Sequence, residues 1–326
     1  MLFTDPRSLP WTFVGLELVF AACFALTVRD VIARWKSGER YALFQWLVIL
    51  TYGVAMELVA FNAYPDYEHG RFTVQLYGGK LPLYVTFVYV VFHYTGLKLA
   101  ERRGHGPVVE AVVAGLAIAL LDVPFDVVGV RAAWWTWHPS SHDVAQRWLG
   151  VPLTSYAWYL IFGAILVGAC RLLRPRIEKR GVGAYVLLAP LVAVGIIVAG
   201  IVAFLPFHAL EALGVPDGAI VAVHAAVALG LALRAPVRAP SGATGPVPAW
   251  LGVVPGLLAA WHLAVLGALW RGGAADATTS LVAIVAAPAI LALVFVRGRA
   301  RAPQPVTDRS ASPPRPPLPA GSRTSS

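Results

Sequence analysis

Residues 183–204 read GAYVLLAPLVAVGIIVAGIVAF, without one charged side chain. As an α-helix rising about 1.5 Å per residue the run is about 33 Å long, enough to cross a hydrocarbon layer about 30 Å thick. It shows no alternation of polar and apolar residues, so it does not read as a strand of a membrane barrel. Inside a bilayer only a helix then satisfies every backbone N–H and C=O. Comparable runs precede it at Trp11–Val28, Tyr41–Phe61, Pro82–Leu99, Pro107–Val130 and Val151–Cys170, and follow it at Ala219–Leu233, Trp250–Trp270 and Leu281–Val296. The seventh and ninth are short. The fold class expected is all-α, a polytopic transmembrane helical bundle of about nine spans in a cell membrane.

Composition agrees. Of 326 residues 58% are hydrophobic and only 13% charged, with a mean hydropathy of +0.68, whereas soluble domains carry about a quarter charged residues. A net charge of +9 would point to nucleic acid in a soluble chain, but no basic patch is interleaved with aromatics and no nucleic-acid partner is expected. The basic residues follow topology instead. Of 26 Lys and Arg, 20 fall in alternate connections and after the last span, beginning with the connection between spans one and two. The positive-inside rule then predicts an outer amino terminus and a cytoplasmic carboxyl terminus. Arg29, Arg34 and Lys36 follow the first apolar run instead of preceding it, which is opposite to a cleaved signal peptide. Two regions are expected, a transmembrane domain over 1–298 and a disordered Pro/Arg/Ser-rich cytoplasmic tail over 299–326. Ala235–Pro248 reads as a linker. Cys23 and Cys170 sit at the inner ends of spans, without the spacing of a disulfide pair or a metal set.

An ionisable group in a spanning helix costs about 2.5 kcal/mol or more at the bilayer centre, so each needs a partner, a wet cavity or a function. Glu17, Glu57, Asp122, Asp126, His93, His224 and His262 are such groups, and all but His93 fall in the predicted outer half. Asp122 and Asp126, four residues apart, share a helical face. Two close carboxyl groups in a medium of low polarity do not both ionise easily, which leaves a neutral acid able to donate a proton. The plainer reading pairs one Asp with Arg131 and hydrogen-bonds the other to a neighbouring helix. Thr86, Tyr89 and His93 also share a face, where interhelical hydrogen bonding is the plainer role. His208, His224 and His262 come from three helices with no short spacing, so no metal site is assigned. The connection after Glu57, PDYEHGRF at 65–72, is rich enough in polar groups to cap a site. Trp134, Trp135, Trp137, Trp148, Tyr156 and Trp158 form either an interfacial belt or a surface that stabilises a cation.

Two segments together resemble the carotenoid biosynthesis protein family of membrane hydratases, which add water to the terminal double bond of carotenoid precursors. The first is Glu57 followed by Gly70-Arg71-Phe72, Tyr77 and Lys80-Leu81-Pro82-Leu83. The second is Asp122-Val123-Pro124-Phe125-Asp126, then Trp135-Thr136-Trp137, then Gly150-Val151-Pro152-Leu153. Order and spacing agree from Glu57 to Leu153. Val127 and Thr154-Ser155 stand where that family usually has proline and an asparagine-phenylalanine pair.

The resemblance implies cofactor-free protonation of an isoprenoid double bond through a tertiary carbocation, giving hydration or cyclisation, with a membrane lipid or isoprenoid as substrate. Asp122 or Asp126 would be the donor, and the other carboxylate or Glu57 the base. Trp135, Trp137 and Trp158 would line the cation's path, with Tyr89, His93, Arg71 and Tyr77 as further substrate-binding residues. No cofactor and no metal are expected. An ion-coupled transporter and a non-catalytic membrane scaffold are the alternatives, since intramembrane carboxylates also serve transport and polar groups also glue helices together.

Overall fold

The computed structural model describes residues 1–63, 67–138, 142–235, 248–273 and 277–296. The expected tail over 299–326 and most of the expected linker lie outside the described residues. Helices α1 (Trp11–Lys36), α2 (Tyr41–Ala63), α3 (Leu83–Glu101), α4 (Pro107–Arg131), α5 (Leu153–Ile177), α6 (Val182–Ala212), α7 (Asp217–Arg234), α8 (Trp250–Arg271) and α9 (Ala277–Leu291) form the bundle, and α9 continues into a π-helical turn, Ala292–Val296. Among the described residues eight helices, α1 to α8, are long and apolar enough to cross a membrane, and α9 is a shorter apolar helix. The all-α polytopic bundle expected from the sequence is therefore the observed architecture.

Prolines mark the starts of many of these helices. Pro10, Pro82, Pro152 and Pro216 immediately precede α1, α3, α5 and α7, and Pro107 opens α4. A first turn has no intrahelical partner for its N–H groups, so proline's missing donor costs nothing there. α3 and α4 are the most buried helices and form the centre, while α6 and α7 leave most of their surface outward. The outward side chains of α6, among them Leu187, Leu191, Val194, Val198 and Val202, form the apolar face a bilayer requires.

The end of the bundle that carries the amino terminus is capped by short antiparallel ladders. β1 (Leu2–Phe3), β3 (Val74–Leu76) and β4 (Leu81–Pro82) form one sheet in the order β1-β3-β4; β2 (Tyr67–His69) pairs with β5 (Trp135–Trp137), and β6 (Arg147–Trp148) pairs with β7 (Val151–Pro152). The turn between β6 and β7 is Leu149-Gly150, both at positive φ, which is the geometry of a tight hairpin and explains a glycine before Val151-Pro152. Glu17 ties this cap to α1, accepting from the Thr73 N–H at 3.0 Å and hydroxyl at 2.5 Å. The opposite end is closed by buried ion pairs. Lys98 Nζ donates to Gln45 Oε1 at 2.8 Å and Glu101 Oε2 at 3.0 Å, and Arg171 donates to Glu110 at 2.6 Å. Asp30 accepts from Arg34, Tyr94 and Trp250.

α4 and α5 pack tightly at Gly115, where an added Cβ would stand 2.2 Å from the Leu160 carbonyl oxygen. Gly115→Ala is expected to force the two helices apart and cost roughly 1–3 kcal/mol. Gly195 faces outward with nothing within 4 Å, so Gly195→Ala should leave thermal unfolding in detergent unchanged or slightly raised. Equal midpoints for the two variants would contradict this packing.

Candidate active site

The cap and five helices enclose a cavity of about 340 Å³. Tyr52, Met56, Glu57 and Ala60 come from α2; Tyr84, Tyr89 and His93 from α3; Phe125 and Asp126 from α4; Ser155, Trp158, Tyr159 and Phe162 from α5; Ile201, Phe204, Leu205 and His208 from α6. Ile201 and Leu205 are also part of the outward apolar surface of α6, so this wall of the cavity is continuous with the side that faces lipid.

The roof is the β2–β5 ladder. Its register pairs Tyr67 with Trp137 and His69 with Trp135, and the alternation of a strand puts all four rings on the cavity side, while Glu68 and Thr136 point outward. Tyr67 and Trp137 have ring centroids 5.0 Å apart, and Trp135 packs 4.8 Å from Phe125. Two glycines make room for this lining. A Cβ on Gly129 would lie 2.0 Å from the Trp135 ring, and one on Gly53 would lie 2.5 Å from the Tyr89 Cβ.

Glu57 is buried and accepts hydrogen bonds from the Tyr67 hydroxyl at 2.6 Å and the Tyr89 hydroxyl at 2.8 Å. His69 Nε2 stands 3.8 Å from the same carboxylate, beyond hydrogen-bond range. Burial, and after it the Glu57 carboxylate, push the Tyr67 phenol well above its ordinary range, so Tyr67 remains a donor at every physiological pH. Asp126 is buried on the neighbouring wall and accepts from Ser155 Oγ at 2.9 Å. Tyr67, Tyr84 and Tyr159 all lie within electrostatic reach of both Glu57 and Asp126. Three cavity-lining groups near these carboxylates, the Tyr84 hydroxyl, Trp137 Nε1 and the His69 ring nitrogens, make no hydrogen bond among the described residues.

The structure thus brings together Glu57, Asp126, Trp135, Trp137, Trp158, Tyr89 and His93 of the residues singled out from sequence. Asp122 is placed differently. It is fully buried behind Asp126, off the cavity wall, where it interacts with Asp126 and Tyr159. Arg131 pairs with neither aspartate, since its guanidinium donates to the carbonyls of Val127 and Leu149. Arg71 is exposed and outside the cavity lining, and Tyr77, half-exposed, donates to Asn62 at 3.0 Å, so the structure does not bring these two to the site. His224 and His262 are also apart from it, the first bound to the Ile220 carbonyl and the second packed against Phe125 and Trp134. Sequence reasoning missed Tyr84, Ser155 and Tyr159. Tyr67 and His69 had a legible signal, because YEH and WTW share a period-2 pattern that places alternate rings on one side of a strand.

Residues 9–229 match a family described as a domain of unknown function, DUF7802. The chain belongs to the DUF7802 family. The matched segment contains every residue that lines the cavity. No curated protein and no solved structure matches the chain.

Tyr67→Phe withdraws a donor from a buried carboxylate and is expected to lower stability by roughly 1–3 kcal/mol. Tyr77→Phe removes the same hydroxyl at a half-exposed position and should stay within about 0.5 kcal/mol. Thermal unfolding of the two purified variants compares them directly, and an indifferent Tyr67→Phe would contradict the role given to Glu57.

Proposed function

We propose that this chain is an integral membrane enzyme that protonates a carbon–carbon double bond of an isoprenoid-like lipid, giving hydration or cyclisation. The observation that carries the reading is the cavity itself. Two buried carboxyl groups from different helices, Glu57 and Asp126, meet an aromatic lining that is continuous with the outward face of α6. A lipid-borne substrate reaches such a site laterally, without crossing water.

At about 30 Å³ for each water-sized group, 340 Å³ holds roughly ten such groups. One end of a long isoprenoid fits, and the rest of the chain lies along α6 in lipid. Asp126 is the proton donor in this reading. Asp122, one helical turn away and deeper, stands behind it against Tyr159. The Asp126 O–H bond breaks as a C–H bond forms, and the positive charge moves to the tertiary carbon. Trp135, Trp137 and Trp158, all on the lining, stabilise that charge through their aromatic rings. Glu57 then accepts a proton, either from a water that adds to the cation or from an adjacent carbon. The first course gives an alcohol and the second a new double bond. Tyr84, His69 and Trp137, with polar atoms free to bind water, favour hydration.

A transporter needs a path to both faces. The deepest residues of the lining are Tyr52, His93 and Phe162, and no lining residue comes from the ion-paired end of the bundle at Lys98, Glu101 and Arg171. Enzyme chemistry is therefore the better supported reading.

Lipid and pigment profiles of cells with and without the gene identify substrate and product. Asp126→Asn and Glu57→Gln, each checked for membrane insertion, are expected to reduce product by about a hundredfold or more, the range of general acid–base catalysis. Undiminished product from both variants would contradict the assignment.

A further inference from the structure

Beside the cavity mouth, at the capped end of the bundle, the structure gathers titratable side chains that the proposed chemistry does not use. His142 and Asp143 lie on the 3-10 turn His142–Val144, which the α4–α5 connection lays against the end of α6. Glu211 stands in the last turn of α6, with His208 one turn before it. One ligand atom from each of His142, Asp143 and Glu211 lies within 4.8 Å of the others. His142 Nδ1 contacts Glu211 Oε1 directly. His208 Nδ1 is 3.1 Å from Glu211 Oε2 and 3.9 Å from Asp143 Oδ1.

A second observation concerns charge. Asp217, the first residue of α7, is 0% exposed, and neither of its carboxylate oxygens has a hydrogen-bond partner among the described residues. The charged groups that act on it most strongly are Glu211, His142, Asp143 and His208. Three carboxylates, Asp143, Glu211 and Asp217, thus converge beside two imidazoles. A buried carboxylate without donors is costly unless a cation lies nearby.

We propose that His142, Asp143 and Glu211, with His208 beside them, bind a divalent transition-metal cation of the zinc class. Mixed imidazole and carboxylate donors suit such an ion and not calcium or magnesium, which prefer oxygen alone. Zinc bonds of about 2.0–2.2 Å require the donors to draw closer than they stand. His142, 65% exposed, is free to swing toward an ion. Asp217 adds negative charge behind the ligands. Asp143 and His208 also line the cavity, so the bound ion pins the 3-10 turn to α6 at the rim and fixes the width of the opening. Cation binding here does not depend on double-bond chemistry, and its test is separate from that of the proposed activity.

The test uses the full chain in detergent, stripped with a chelator, desalted and titrated with zinc under equilibrium dialysis. Saturable binding of one zinc ion per chain is expected. His142→Ala and Glu211→Gln should each weaken it at least tenfold, and zinc should raise the unfolding midpoint of the parent protein but not of these variants. His138→Ala, a histidine at the same end that faces Glu68 at 3.7 Å, should bind zinc as the parent does. Unfolding midpoints without zinc establish that each variant is folded, and the exposed His142 keeps the test open if Glu211→Gln is not. Absence of saturable binding by the parent protein would overturn the proposal, as would undiminished binding by folded His142→Ala.

Discussion

A carboxyl group inside a membrane-spanning helix has no water to turn to, so the protein must supply its donors. Glu57 receives two, the phenols of Tyr67 and Tyr89, and much of the local architecture follows from how they are delivered. Tyr89 comes from α3, brought close by a glycine on α2 that leaves room for its side chain. Tyr67 comes from a three-residue strand outside the helices, which holds its position only because it pairs with Trp135–Trp137. Satisfying one buried carboxylate therefore joins α2, α3 and two connections. The ladder that does this also becomes the cavity roof.

Depth of burial separates the two aspartates that share a face of α4. Asp126 meets the cavity and a serine hydroxyl; Asp122 lies behind it, off the cavity wall, beside Tyr159. A second carboxyl in a dry interior is costly for stability alone, because an apolar side chain could replace it with gain. Retaining it is consistent with a group poised to hold or pass a proton. The outward wall at Ile201 and Leu205 complements this, since hydrocarbon can approach the acid from lipid while the ion-paired opposite end stays closed.

The bundle was legible in the sequence because length, apolarity and the absence of alternation leave a membrane chain few options. Glu57, Asp126 and the tryptophans were legible because charge and indole are conspicuous among aliphatic residues. Asp122 was not resolved from Asp126, as a four-residue spacing fixes a shared face but not which side chain a proline-containing helix turns toward a cavity. Arg71 and Tyr77 followed from a family resemblance, whereas the local strand pairing carries them away from the site. Ser155 and Tyr159 look like ordinary helix residues until α4 and α5 are packed together. The cluster at the mouth joins residues about seventy positions apart, from a short turn and a helix end, and no local spacing announces it.

Transfer of a proton to carbon inside this cavity is the central step proposed, and isotope incorporation tests it most directly. Membranes containing the protein, incubated in D₂O buffer with isoprenoid lipid extract, should yield a product carrying one carbon-bound deuterium that does not wash out in ordinary water. Asp126→Asn membranes should yield none. A product formed without carbon-bound deuterium, or labelled equally by the Asp126→Asn protein, would contradict the account.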